Sequence, residues 1–316
     1  MKAFSLSVPA NLLLLGEYAV LEEEGRGLAL AAMHRALVGA EPAASFSVDG
    51  KMGTVTMNWD EASGMPAPPL VAACLAAAGF GAEGPRALIR LDSSAFFAPD
   101  GRKKGFGSSA AIAVGLVAAL LRLRGLAGAE LEAAIFPAAL AAHRASQGGR
   151  GSGYDVAASR FGGVGVFSGG AHPTWVALED PALPHLALFA GPVAVSSAEA
   201  VLRYEAWKRA NPAVLAGFLR ASQASLDAFL ALTDPASRLK AIQDAAQTGI
   251  RLGDNIGVEA RLQSPKGLCG EFVIKALGAG NELGLLASLE APSIKEGAPA
   301  TSFEELSVDP EGLRWD

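Results

Sequence analysis

Apolar positions along this chain follow two periods, and the places where the period changes mark its elements. Residues 3–9 and 12–15 read as a strand running into a buried segment, which Gly16-Glu17-Tyr18-Ala19-Val20-Leu21 continues. Stretches 28–40 and 45–59 alternate with period two (Phe46, Val48; Val55, Met57, Trp59), and Asp49-Gly50 is the expected hairpin turn between strands. A proline-punctuated stretch, Pro66–Pro69, precedes a short helix at Leu70–Ala78, and Ala87–Leu91 reads as a strand. In Ala110–Arg124 the residues Ile112, Leu116, Ala119 and Leu120 fall near one helical face. A second helix follows at Leu131–Ser146, a third begins at Tyr154–Ser159, and Gly162–Phe167 returns as a strand.

Pro173, Pro181 and Pro184 interrupt the pattern near 170–185 and mark the expected joint between a domain at 1–175 and one at 176–316. Beyond it come a strand at Leu186–Ala190, amphipathic helices near 197–210, 212–231 and 235–256, and a final α/β segment. The reading is an α/β (α+β) two-domain protein without internal repeats.

Composition narrows the function. The 316 residues, 51% of them hydrophobic, can bury two sizeable cores. A net charge of −6 and a pI near 5.4 exclude a general nucleic-acid binder, whose affinity needs a basic face. The two cysteines, Cys74 and Cys269, form no CxxC pair, so neither zinc nor a disulfide framework is expected and they read as core thiols. The Leu12–Leu15 run is broken by Pro9 and Asn11 and lacks a small-residue cleavage pattern, and no window reaches the roughly 18 apolar residues of a membrane span. A soluble, cytoplasmic protein is expected, with no membrane or nucleic-acid partner.

Candidate chemistry concentrates in four places. Lys103-Lys104-Gly105-Phe106-Gly107-Ser108-Ser109-Ala110-Ala111 puts two cations, two glycines and two hydroxyls at a helix entry. Glycine admits close approach of an anion, the free amides at a helix N-terminus point towards it, and a serine hydroxyl can ligate a phosphate-borne Mg²⁺. The same pattern also suits a plain turn and cap. It is not a Walker A loop, because the lysines precede the glycines. A second glycine loop, Gly148–Gly153, leads through Ser152-Gly153-Tyr154 to Asp155 at a helix start. Asp155 either complements the helix dipole or accepts the proton of an attacking hydroxyl. A third, Lys275-Ala276-Leu277-Gly278-Ala279-Gly280-Asn281-Glu282, permits a tight turn or close approach to a ligand. The fourth is Pro9–Tyr18, where Asn11 and Glu17 stand among leucines and require partners or a function. The four histidines show no metal-ligand spacing, and His143, on an alanine-rich helix, reads as a packing or hydrogen-bonding residue.

The order and spacing of these four elements resemble the GHMP kinase superfamily of small-molecule kinases. Pro9–Leu21, Gly105–Ala111 and Gly278–Glu282 are similar to its three motifs. Within it the likeness is strongest to the phosphomevalonate kinases, through Gly16–Leu21, Asp92–Phe97, Gln147–Ala158 and Trp207–Pro212. The resemblance runs from about residue 5 to about 290, and implies an N-terminal ribosomal-protein-S5-like α/β domain and a C-terminal ferredoxin-like α+β domain. It implies ATP and Mg²⁺ as cofactors and a phosphorylated mevalonate as the small-molecule partner, converted from 5-phosphomevalonate to 5-diphosphomevalonate. A mevalonate kinase or other family kinase, or a non-catalytic member, is the alternative, and monomer and homodimer both stay open.

By that resemblance Asp155, Asn11 and Lys104 are the catalytic candidates. Lys103, Gly105, Gly107, Ser108, Ser109 and Ala110 would bind the nucleotide, with Ser109 also holding Mg²⁺. Tyr18, Ser152, Gly153, Gly278, Ala279 and Gly280 would bind the acceptor. The chain departs from the family in three places. Asn11 stands where a lysine is usual, so Lys103, Lys104 or Arg150 is the candidate replacement cation. Asn281 and Glu282 interrupt the third glycine run, and the mid-chain segment Ala190–Ser197 is altered.

Overall fold

The computed structural model describes residues 2–81, 83–179, 181–192, 196–294 and 303–316; positions 193–195 of the altered mid-chain segment lie outside them. In chain order the elements open with strands β1 (Phe4–Leu15), β2 (Arg26–Pro42), β3 (Ser47–Met52) and β4 (Val55–Asp60). Helix α1 (Pro69–Ala77), strand β5 (Ala87–Asp92) and helices α2 (Ser108–Leu123), α3 (Gly128–Ser146) and α4 (Tyr154–Phe161) follow. Strands β6 (Val164–Ser168), β7 (Thr174–Leu178) and β8 (His185–Ala190) lead to helices α5 (Ser197–Ala210), α6 (Pro212–Ala231) and α7 (Pro235–Ile256). The chain ends in strands β9 (Leu268–Cys269), β10 (Phe272–Leu277), β11 (Leu283–Ser288), β12 (Ser293–Ile294), β13 (Glu304–Glu305) and β14 (Arg314–Trp315).

Packing divides the chain into two compact units that are not contiguous in sequence. The first holds residues 1–12, 30–163 and 308–316, and the second holds 13–29 and 164–307. The expected joint near 175 thus falls inside the second unit.

In the first unit the strand order is β14-β1-β2-β5-β3-β4. Strand β5 pairs antiparallel with β2 (Val38↔Leu91) and parallel with β3 (Val48↔Ile89). Helix α2 packs with α1, α3 and α4 and is buried on nearly every side. It also lies against the sheet, so closely that a Cβ on Gly115 would meet Val38 Cγ2 at 2.6 Å. The small residues that blur its helical pattern are what permit that approach. The segment leading into β14 is held by Arg35, which donates to Asp309 Oδ2 at 2.5 Å, Gly312 O at 2.6 Å and Ser7 Oγ at 3.1 Å. A guanidinium with that many acceptors can be largely buried at little cost.

In the second unit β10, β11, β8 and β13 form an antiparallel sheet in that order, with Leu285 opposite both Lys275 and Leu188. Helix α7 packs on β10 and β11 and against α5 and α6. Strand β6 pairs with β7.

Three local expectations are corrected. Asp49 and Gly50 sit within β3, opposite Asn58 and Met57, and the hairpin turns instead at Gly53-Thr54. Gly53 takes the left-handed φ of 61° that a two-residue turn needs, so backbone geometry outranks the Asp-Gly signal. The proline-rich stretch contains β7, a strand with largely exposed side chains and hence little apolar signature. After Ile256 the described residues form strands only, with no helix. No helix among the described residues is long and apolar enough to cross a membrane.

Candidate active site

The first unit gathers most of the polar groups singled out above. Gly105 and Gly107 both take left-handed φ values, 80° and 71°, which turn the chain into the start of α2. Asn11 holds this loop from β1. Its backbone N–H donates to Phe106 O at 3.1 Å, and its Nδ2 donates to Gly107 O at 3.1 Å and to Ser159 Oγ at 2.9 Å. Ser159 in turn donates to Pro9 O at 2.8 Å. Asn11 is 2% exposed, and both of its amide hydrogens are engaged within the unit. A Cβ on Gly107 would lie 2.1 Å from Asn11 Oδ1, so this position requires glycine twice over.

At the head of α2, the amides of Ser108 and Ser109 have no acceptor within the helix. The Ala110 amide bonds Gly107 O at 3.2 Å. Lys103 is exposed. Lys104 Nζ lies 3.2 Å from His34 Nε2 and over the Phe106 ring at 5.7 Å from its centroid. Arg150 is exposed in the second glycine loop.

That loop ends at Gly153, whose φ of 98° places it in the left-handed region just ahead of α4. Leu140 Cδ1 would lie 2.3 Å from a Cβ there. Ser152 is buried, with its Oγ 3.5 Å from the Tyr154 amide. Arg144 bonds the carbonyls of Gly151 at 3.0 Å and Ser152 at 2.7 Å, and so sets the loop that presents Asp155. One Asp155 oxygen accepts from the Val156 amide at 2.9 Å, and the other lies 3.6 Å from His143 Nδ1.

His143 joins two of these groups. It is 3% exposed, and its Nε2 lies 3.2 Å from Ser109 Oγ and 3.0 Å from Gln147 Nε2. The expected hydrogen-bonding role is what the structure shows, but its partners are two of the candidate site residues. The signal is the i, i+4 spacing of His143 and Gln147 across the C-terminal end of α3, ahead of a glycine loop and an aspartate.

The second unit gathers the remainder. Glu17 forms an ion pair with Lys275 of β10, which is itself 4% exposed. Burial pushes the Glu17 carboxyl above its usual range, and the Lys275 ammonium offsets only part of that. Tyr18, at a left-handed φ of 63°, donates its hydroxyl to Ala279 O at 2.6 Å and packs against Tyr204 with ring centroids 5.2 Å apart. Burial, with the nearby Glu17 charge, holds its phenol protonated well above the usual range. Tyr204 donates to Glu22 Oε1 at 2.9 Å, and Lys208 reaches the same oxygen at 2.9 Å. Gly278–Glu282 is the connection between β10 and β11, with Gly278 left-handed at 74°. Asn281 is buried and donates to Arg261 O at 3.4 Å, while its Oδ1 has no partner among the described residues.

Ser109 and Asp155 are hard oxygen donors suited to Mg²⁺. Among the described residues no cluster of three or more His, Cys, Asp or Glu could hold an ion by itself. That donor set fits an ion delivered with phosphate oxygens and keeping much of its water.

Residues 71–163 match a family described as "GHMP kinases N terminal domain". No match is found among curated proteins. Among solved structures, the Lin0012 protein from Listeria innocua superposes with a TM-score of 0.81 at 17% identity, over 100% of this chain and 99% of its own. The Streptococcus pneumoniae phosphomevalonate kinase in complex with phosphomevalonate and AMPPNP gives 0.69 at 18%, over 91% and 92%. The L. major mevalonate kinase in complex with R-mevalonate gives 0.68 at 14%, over 99% and 98%. The likeness therefore spans both units and extends beyond the matched segment. Residues 71–163 match the GHMP kinase N-terminal domain, and the whole chain shares the fold of the solved phosphomevalonate and mevalonate kinases.

Proposed function

We propose that this chain is an ATP-dependent small-molecule kinase that phosphorylates 5-phosphomevalonate to 5-diphosphomevalonate. The observation that carries the reading is the convergence of three helix ends on one polar cluster: Ser109 heading α2, His143 closing α3 and Asp155 heading α4. Supporting the acceptor are the stretches Gly16–Leu21 and Gln147–Ala158, together with a fold shared with a phosphomevalonate kinase.

In this reading the nucleotide phosphates lie against the amides of Ser108 and Ser109, where the left-handed Gly105 and Gly107 keep side chains out of the way. Ser109 and Asp155 would hold Mg²⁺, which when bound neutralises charge developing on the transferring phosphoryl group. Lys104 stands beside the loop as its cation. The acceptor is a phosphate oxygen, already largely ionised near pH 7, so Asp155 orients acceptor and ion more than it removes a proton. Within the first unit, Ser152 and Gly153 are assigned to the acceptor. Positioning and charge supply most of the acceleration in such transfers.

ADP release measured with Mg-ATP and, separately, 5-phosphomevalonate, mevalonate and 5-diphosphomevalonate tests the reading. Turnover with 5-phosphomevalonate alone is expected, and Asp155→Ala should lower it by roughly two to four orders of magnitude while sparing ATP binding. Turnover only with another acceptor reassigns the substrate. Silence with all three, alongside ligand binding, replaces the reading with a non-catalytic binder, a role favoured by an Asn11 whose amide hydrogens are both engaged internally.

A further inference from the structure

Two groups converge on one nitrogen of a buried ring. Gln147 Nε2 and Ser109 Oγ lie 3.0 and 3.2 Å from His143 Nε2. An amide nitrogen can only donate, and a protonated ring nitrogen cannot accept. With the Gln147 amide nitrogen facing it, His143 Nε2 is the acceptor, its one lone pair shared by the two donors, and the ring hydrogen sits on Nδ1, which faces Asp155 Oδ2. At 3.6 Å that second contact is electrostatic and too long for a hydrogen bond. At 3% exposure, with Nε2 covered by two side chains, the imidazole has no free face for a ligand.

The consequence falls on Ser109. If its hydrogen points at His143, its oxygen presents only lone pairs to the head of α2. Such a hydroxyl receives a cation and cannot donate to a phosphate oxygen. We propose that His143, braced by Gln147, is a positioning residue that orients the Ser109 hydroxyl to act as a cation ligand and not as a phosphate donor. The proposal rests on the kinase reading, which puts a nucleotide-borne cation at this helix end. It goes further by assigning the work to a residue that touches neither.

The two nitrogens can be separated by substitution. His143→Gln retains an acceptor near the Nε2 position, whereas His143→Asn retains a donor near Nδ1 and loses that acceptor. Because the Nε2 contacts are hydrogen bonds and the Nδ1 contact is not, the glutamine variant should keep the function and the asparagine variant should not.

The experiment measures Mn²⁺ affinity by electron paramagnetic resonance with a non-hydrolysable ATP analogue, beside kcat and KM for the wild type and His143→Ala, →Asn and →Gln. Loss of an outer ligand partner typically costs about 10–100-fold in metal affinity or activity. That loss is expected for the alanine and asparagine variants, in Mn²⁺ affinity and kcat, with KM for ATP within about threefold. The glutamine variant should stay within about fivefold of wild type. Wild-type Mn²⁺ affinity and kcat in His143→Ala would overturn the proposal and leave the kinase reading standing. A glutamine variant as impaired as the asparagine one would overturn the acceptor role. Should His143→Ala fail to fold, the Gln/Asn pair decides alone. A wild type that binds no nucleotide would overturn both the proposal and the reading.

Discussion

At the scale of single residues, Asn11 shows how a side chain can matter without facing a ligand. A lysine there would bring charge, but asparagine brings two hydrogens, and Gly107 O and Ser159 Oγ take them both. The residue thereby fixes the turn that points the first amides of α2 outward. Asn11→Ala should remove two hydrogen bonds, to Gly107 O and to the buried Ser159 Oγ, and cost about 1–3 kcal/mol, read as a lower Tm and a weaker ATP affinity. An unchanged Tm with unchanged affinity would remove Asn11 from the loop's support. Sequence reasoning could flag a polar residue among leucines, but its partners lie 96 and 148 residues away and only folding names them.

At the scale of elements, the segment that follows β1 is tied to β10 by a buried charge pair. Removing the carboxylate strands a nearly fully buried ammonium, whereas removing the ammonium leaves a carboxyl that burial already favours in its neutral form. Glu17→Gln should therefore destabilise by about 3–5 kcal/mol, Lys275→Met by less, and the double substitution by less than Glu17→Gln alone. Thermal unfolding of all three variants checks the order; an additive double mutant would show that the pair is not coupled. The helices were legible to within a residue or three because their apolar positions repeat every three to four residues. Strand β7 and the Gly53 turn were not. One lacks an apolar face, and the other depends on which residue of the hairpin must go left-handed.

At the scale of the whole molecule, the units interleave in sequence: residues 13–29 belong with 164–307, and 308–316 return to the first unit. A linear reading places a boundary where prolines gather, yet Arg35 recruits the segment leading into β14 and Lys275 recruits Glu17 by contacts that composition does not register. Each unit holds one thiol, which gives a direct probe of the division. Cys74, in the first unit, is buried and its thiol is pushed above the usual range, while Cys269, in the second, is half-buried. A thiol reagent at pH 8 should modify Cys269 in the native protein and Cys74 only when the first unit unfolds. Equal labelling rates under native conditions would contradict that assignment.

The order of the helices, the fold class and the chemistry available are readable from the chain, because they follow from local periodicity, glycine at positions needing left-handed backbone, and charged groups at helix ends. Tertiary structure alone decided which of those groups meet. Ser109, His143 and Asp155 come together because α2, α3 and α4 pack with their ends adjacent, and a hydrogen bond depends on distance through space and not along the chain.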